Sequence, residues 1–533
     1  MINFSTLPRF LFHSQFSVMT IAVLFLLLVV WNLGSFPLFD VDEGAFSEAT
    51  REMLASGIFS ATYLDGVPRY DKPILIYWFQ ALSVFFLGIN EFAFRLPSVI
   101  FAALWLVIFA QFTKEFLGKK RAYIGTLSLL GCILFPLVAR AAFADALLNL
   151  LLTLTLFDIY RYSQQCSQTY ICRVFFWMGL GMLTKGPIAI VIPLIVSGLY
   201  FSIQGQIRPL FKAYFNVKGW LIFIIVLVPW LWMVYQQQGL DFFKGFLLDH
   251  NLNRFTQTKE GHGGHWFYYL IAFPLITLPF GVLIGHLIAA IKKRRRSNFT
   301  LFMVLWLLVF IVVFSFSETQ LPHYVMNAAV PFILLFTKNL SVLRYSNRVL
   351  WVPIGFFALL IAVPFAVPFI NIKAPFYVEE MLQPISQVFD LHFYLWSLCL
   401  WVLASFVAVL STIPTWTRLI WVSVLFSLFV YQCFLPRFAI LQQAPVKQAA
   451  ILAKEAGADV VRWRITMPSF SVYREAITPL TLPQAGQWVF TRAGQETELA
   501  TTLSPLVVST EFAQGGVRLL SVTHPVNVNL VNP

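Results

Sequence analysis

The stretch Pro73–Gly88, PILIYWFQALSVFFLG, is apolar along its whole length, and its reading sets the sidedness of every loop that follows. It has about 16 residues, whereas a straight membrane-crossing helix needs about 20. Were it to cross, the basic clusters Lys119–Arg121 and Lys292–Arg296 would face outward. That would violate the bias that keeps Lys and Arg on the cytoplasmic side. The stretch is therefore read as a helix lying at the outer interface, with Tyr77 and Trp78 at headgroup depth.

Working outward from there, 59% of the 533 residues are hydrophobic and only 11% are charged, against about 25% charged in soluble domains. Mean hydropathy is +0.76. So much apolar surface cannot be hidden in a globule. Apolar runs long enough to span start near residues 16, 96, 121, 146, 173, 187, 219, 266, 299, 322, 349, 391 and 418, about thirteen in all. The basic residues between them (the two clusters above, Arg161 with Arg173, Arg208 with Lys212 and Lys218, Lys338 to Arg348, and Arg418) fall on the side of the N-terminus, which carries Arg9. That side is cytoplasmic. The first run, about Phe16 to Phe36, lacks a small-residue cleavage site and reads as a retained helix.

An odd number of spans puts the C-terminus outside. Past Pro436 the composition turns polar, with short alternating runs such as Trp488–Phe490 and Val517–Val522, the pattern of a small α/β domain. The fold class expected is an all-α polytopic membrane protein with a C-terminal extracytoplasmic α/β domain. Residues 1–436 form the membrane unit, with outer loops at 37–95 and 237–265, and residues 437–533 the domain.

The net charge of +13 sits in short clusters beside apolar runs and forms no basic stripe, which argues against nucleic acid as a partner. The five cysteines fall in apolar runs or in one cytoplasmic loop, so no disulfide is expected. No phosphate-binding loop or dinucleotide fingerprint is present.

The unusual polar residues gather on the outer side. The first outer loop holds Asp40, Asp42, Glu43, Arg51, Asp71 and Lys72, and FDVDEGAFSEATREML reads as a helix with Asp42 and Glu43 in its first turn. Arg140 and Asp145 bracket an outer turn in RAAFAD, and Lys185 sits at another in LTKGP. A long loop carries Arg254, His262 and His265, and SETQLPHY brings Glu318, His323 and Tyr324 to the outer mouth of two helices. Taken singly, an acid such as Asp42 is often a helix cap and a lysine such as Lys72 often snorkels to headgroups. Taken together, carboxylates and cations from five loops suit one reaction. A phosphate leaving group needs cations, and a hydroxyl nucleophile needs a carboxylate to orient it and accept its proton.

Seven segments carry a resemblance: VDEGAFSEATREMLASG (from Val41), YDKPILIYW (from Tyr70), FRLPS (from Phe94), RAAFAD, LTKGP, HNLNRF (from His250) and LPHY (from Leu321). In this order, and over roughly residues 15 to 340, they resemble the polyprenyl-phosphate-dependent GT-C glycosyltransferases. More narrowly, they are similar to the lipid A aminoarabinose transferases and their protein O-mannosyltransferase relatives. The resemblance implies an inner-membrane enzyme of bacteria that moves a monosaccharide, with inversion, from undecaprenyl phosphate to a periplasmic acceptor, either lipid A or a protein.

By the resemblance Asp42 acts on the acceptor with Glu43 beside it, and Asp145 is the second acid at the membrane face. Lys72 and Arg254 hold the donor phosphate, Arg51 and Lys185 join the substrate-binding cations, and Tyr324 lines the lipid cavity. Aminoarabinose transferases usually have Glu before the Lys-Pro pair where this chain has Asp71, and that position helps to bind a metal in some relatives. Asp71 and His265 are accordingly the candidate ligands of a divalent metal, with no other cofactor implied. Two other classes compete. A transporter would place its charges near mid-membrane, usually with repeat symmetry. A scaffold would depend wholly on residues 437–533.

Overall fold

The structure, a computed structural model, describes residues 14–252, 265–293, 297–340, 347–370 and 373–524. Each apolar run in them is helical. Six helices among the described residues are long and apolar enough to cross a membrane, or eight if each of two sharply bent pairs counts as one span. This is fewer than the thirteen expected. The Ser17–Val30 and Ile188–Ile203 helices are apolar but short. The Asp145–Gln165 helix carries charge in its interior, where Asp158 pairs with Arg161 at 3.0 Å and with Arg173 at 2.9 Å. Two spans are broken: Lys119–Gly131 meets Leu134–Arg140 at 69°, and Tyr268–Ile276 meets Phe280–Lys292 at 116°.

The deciding stretch forms a helix over Leu75–Leu87, 13 residues, or about 20 Å at 1.5 Å per residue. That is too short to cross about 30 Å of hydrocarbon. One face buries Ile76, Tyr77, Gln80, Ala81 and Val84, while Leu82, Phe85 and Phe86 are exposed. Trp78 donates its indole N–H to the Phe59 carbonyl at 2.8 Å. Tyr77 is a correction, because its side chain is fully buried against the protein and does not sit at headgroup depth. Tyr77 and Trp78 are adjacent, so a helix points them roughly 100° apart and only one can face outward.

Between this helix and the first lies the Asp42–Ser56 helix, which begins with two acids and ends at Gly57 in the left-handed conformation. It is buried from Glu43 to Met53, an unusual setting for a helix that carries Glu43, Glu48, Arg51 and Glu52. Each of those charges therefore requires a partner.

The final apolar helix continues without an end from Thr415 to Glu455. Pro436 follows directly on a π-helical stretch, Phe429–Phe434, at the start of the last segment, Leu435–Glu455. Beyond it are strands β3 (Val460–Arg462), β4 (Trp488–Arg492), β5 (Val507–Gln514) and β6 (Val517–Thr523), after the small hairpin of β1 (Tyr63–Leu64) and β2 (Val67–Pro68). Their order is β3-β4-β6-β5, with β3 parallel to β4 and the other pairs antiparallel. The alternating runs that were legible in the sequence are β4 and β6, the two central strands.

This domain rests on the loop that bears the Asp42–Ser56 helix. Asp40 accepts from the Ser469 backbone N–H at 2.9 Å and from its hydroxyl. Asp65 pairs with Arg462 at 2.9 Å and accepts from the Ser471 hydroxyl. Glu91 pairs with Lys447 at 2.5 Å. Burial pushes the Asp40 carboxyl up to about 7, outweighing the Ser469 hydrogen bonds that lower it, with the nearby Asp65 and Glu43 adding to the rise. The docked state thus holds a proton that the separated state releases, and the stability this contributes is full below about pH 4 and lost as pH rises through 7. The thermal unfolding midpoint is expected to fall between pH 5 and 8, and Asp40→Asn should flatten that decline. A midpoint equally pH-dependent in the variant would show that Asp40 is not the group responsible.

Candidate active site

The site is built on a buried ion pair. Arg95, with no exposed surface, donates Nε to Glu43 Oε1 at 2.9 Å and Nη2 to Oε2 at 2.7 Å. Its remaining donors go to the carbonyls of Leu33, Phe36 and Pro37 at 2.8 to 3.0 Å, so every guanidinium nitrogen is used. Glu43 also accepts from the backbone N–H groups of Phe39 at 2.9 Å and Ala142 at 2.7 Å. The pair joins the end of the first helix, the start of the Asp42–Ser56 helix and the turn before Asp145. Glu43 was expected to share the catalysis. Its oxygens are already filled by four donors, and it is a clamp.

Asp42, one residue earlier, is exposed, and among the described residues it takes part in no ion pair. Its charge acts on Arg69 and Tyr77. Arg69 grips both oxygens of Asp71 at 2.6 and 3.0 Å, donates to the Ala45 carbonyl at 2.6 Å, and lies over the Phe46 ring. Lys72 approaches Asp71 at 3.4 Å. Burial alone would raise the Asp71 carboxyl, but Arg69 and then Lys72 outweigh it and hold Asp71 far below the usual carboxylate range.

Across from this group, Asp145 starts its helix and pairs with Lys185 at 2.7 Å. The Lys185 ammonium also lies 5.2 Å from the centre of the Tyr324 ring. Asp71, Lys72, Asp145, Lys185, His250 and Tyr324 line one cavity of about 100 Å³, and Leu148, Leu152, Phe310 and Phe314 make it apolar on the other side. The charges of Asp145, Lys185, Asp42 and Lys72 all act on His323. Two cations, Lys72 and Lys185, line the cavity, the kind of group that binds a phosphate.

Lys72, Asp145, Lys185, Tyr324 and Asp71 thus come together as the sequence led one to expect. Arg51 does not. It is buried, binds both oxygens of Glu48 at 2.6 and 2.8 Å, and reaches the Glu475 carbonyl in the C-terminal domain at 3.3 Å. Arg254 lies outside the described residues. His265 is exposed and stacks on Phe267 rather than lining the cavity. Both oxygens of Asp71 are already held by cations, so Asp71 and His265 do not form a fitting metal pair. The one group of three metal-type ligands among the described residues, Glu48, Glu52 and Asp65, lies at the seam with the C-terminal domain, where Arg51 and Arg462 neutralise it. Arg69, in the first outer loop, His250, which opens HNLNRF, and the Tyr77 hydroxyl were not assigned a role at the site from the sequence.

The chain is similar to several known proteins. The family model described as dolichyl-phosphate-mannose-protein mannosyltransferase matches residues 71–233. The fold superimposes on the crystal structure of ArnT from Cupriavidus metallidurans bound to undecaprenyl phosphate with a TM-score of 0.79 and 18% identity, covering 95% of this chain and 98% of that one. An Archaeoglobus fulgidus oligosaccharyltransferase aligns more distantly, with a TM-score of 0.52 and 10% identity, over 97% of this chain and 75% of that one. The fold is that of these multi-pass membrane proteins.

In sequence the chain is similar to aminoarabinose transferases. It is 25% identical to the undecaprenyl phosphate-alpha-4-amino-4-deoxy-L-arabinose arabinosyl transferase 1 of Pseudomonas fluorescens, over 81% of this chain and 80% of that protein. It is 27% identical to the corresponding transferase 2 of Proteus mirabilis, over 61% of this chain and 59% of that one.

Removing one partner of a buried ion pair typically costs about 3–5 kcal/mol. Arg95→Met and Glu43→Ala should each lower the unfolding midpoint sharply, whereas Asp42→Asn should leave it near wild type. A stable Glu43→Ala protein that had lost only activity would return Glu43 to the chemistry.

Proposed function

We propose that this chain transfers a monosaccharide from undecaprenyl phosphate to lipid A or lipopolysaccharide, at a site facing the periplasm. The carrying observation is a cavity whose lining combines Lys72 and Lys185, suited to a phosphate, with Leu148, Leu152, Phe310 and Phe314, suited to a hydrocarbon tail. In this reading the N-terminus is cytoplasmic. Residues 1–436 form the transferase unit, and residues 437–533 form a periplasmic domain. The chain lies in the bacterial inner membrane.

The acceptor oxygen attacks the anomeric carbon from the face opposite the donor phosphate. A carbon–oxygen bond to the acceptor forms as the bond to the phosphate oxygen breaks, with inversion, and polyprenyl phosphate leaves with the bonding pair. Lys72 and Lys185 balance the charge that develops on the leaving group. Asp145 holds Lys185 in place. Asp42 orients the acceptor and takes its proton when that acceptor is a hydroxyl. A lipid A phosphate is already anionic, and Asp42 then only positions it. Tyr324 and the phenylalanines behind it border the tail.

The family match supports a second acceptor reading, transfer to Ser or Thr of periplasmic proteins. Mass spectrometry of lipid A and of periplasmic proteins, from cells with and without this gene, separates the two. Asp42→Asn is expected to abolish transfer while insertion and fold persist; transfer at a near wild-type rate would remove Asp42 from the mechanism. Lys72→Ala should lower kcat/KM for the donor by about tenfold or more and affect the acceptor less, as loss of a charge-assisted contact implies. An unchanged donor dependence would contradict the phosphate role.

A further inference from the structure

A second cavity, of about 530 Å³, lies at the other end of the membrane unit, within the size range of small-ligand sites, about 300–1,000 Å³. Two of its walls are helices that carry site residues at their far ends. Ile159 and Tyr162 lie on the helix that begins with Asp145, and Ile171 lies on the helix that ends with Lys185. Those separations, about 14 to 17 residues, correspond to roughly 20–25 Å along a helix. The cavity thus extends from the middle to the far ends of these helices and shares no lining residue with the donor cavity.

Its lining is almost wholly apolar, and its hydroxyls are already bonded within the protein. Tyr162 donates to the Pro209 carbonyl at 2.9 Å, and Tyr214 donates to the Leu194 carbonyl at 2.9 Å and meets Ser197 at 3.0 Å. Such a wall accepts a hydrocarbon chain and offers nothing to a polar ligand. A further wall is the short helix Ile207–Tyr214, which buries Leu210 and leaves Ile207 and Phe211 exposed beside the exposed Arg208 and Lys212. Lys218, also exposed, follows at the start of the next helix. No Asp or Glu occurs between Asp158 and Asp241, and Arg208, Lys212 and Lys218 take part in no ion pair among the described residues. A basic amphipathic helix beside an empty apolar slot matches a lipid with a negative headgroup.

We propose that this cavity holds one acyl chain of an anionic phospholipid, with its phosphate resting on Arg208, Lys212 and Lys218. The lipid anchors the Ile207–Tyr214 helix and, through the two shared helices, steadies the ends that carry Asp145 and Lys185.

The full-length protein in neutral detergent, titrated with phosphatidylglycerol or phosphatidylcholine, tests this by native mass spectrometry and by unfolding midpoint. Phosphatidylglycerol should be retained and should raise the midpoint, and phosphatidylcholine should do neither. Replacing Arg208, Lys212 and Lys218 with Gln, all surface changes, should weaken phosphatidylglycerol binding about fivefold per charge removed. Ala213→Phe, which fills the slot, should lower retention without altering the surface charge. Equal retention of both lipids, or retention that survives both variants, would overturn the proposal. So would stoichiometric displacement of phosphatidylglycerol from this cavity by a polyprenyl phosphate.

Discussion

Arg95 has no contact with solvent, and the carboxylate it grips, Glu43, is almost as deeply buried. Guanidinium and carboxylate meet in a two-pronged pair whose remaining hydrogen-bonding capacity is taken by backbone groups from residues 33 to 39 and by Ala142. Charges removed from water to this extent persist only when every donor and acceptor is satisfied. One pair therefore fixes where the first membrane helix ends, where the acid-rich helix begins, and how the turn before Asp145 lies. The acid at position 42 and the cavity around Lys72 and Lys185 owe their mutual placement to it.

The same logic divides labour among the other charges of the Asp42–Ser56 helix. Arg51 and Glu48 neutralise each other one turn apart and face the C-terminal domain. Asp40 and Asp65 reach that domain through Ser469, Ser471 and Arg462. What remains on the exposed first turn is Asp42. The helix is thus a rigid mount with one free carboxylate, its other ionic groups spent on holding it still. A site that develops charge on a leaving phosphate gains most from groups fixed before the reaction begins.

Much of this was legible in the sequence, and what was missed shares one cause. The apolar runs, the short stretch Pro73–Gly88 and the alternating runs of β4 and β6 report on period and length, which are local properties. The meeting of Lys72, Asp145, Lys185 and Tyr324 was legible as well, because each sits at the end of an apolar helix where sidedness alone brings such residues together. What sequence could not resolve was which of two adjacent residues faces inward. Asp42 and Glu43 look alike until Arg95, fifty-two positions away, selects Glu43. Tyr77 and Trp78 divide in the same way, Tyr77 fully buried and Trp78 half-buried with its indole on the Phe59 carbonyl. His250 lines the cavity whereas His265 does not, a choice made by the path of the backbone after Gly239, whose φ of 61° kinks the helix leading there. Length and composition alone pick out fewer spans among the described residues because helices buried within a protein can carry paired charges, such as Asp158 with Arg161, that a lipid-facing span cannot.

The most direct test asks where a lipid-linked phosphate binds. A polyprenyl phosphate with a photoreactive group near its phosphate, irradiated on the full-length protein and mapped by peptide mass spectrometry, should label the segments around Lys72, Lys185 and Phe310 to Tyr324. Labelling confined to the opposite end of the helices, around Ile159 and Trp220, would contradict the account.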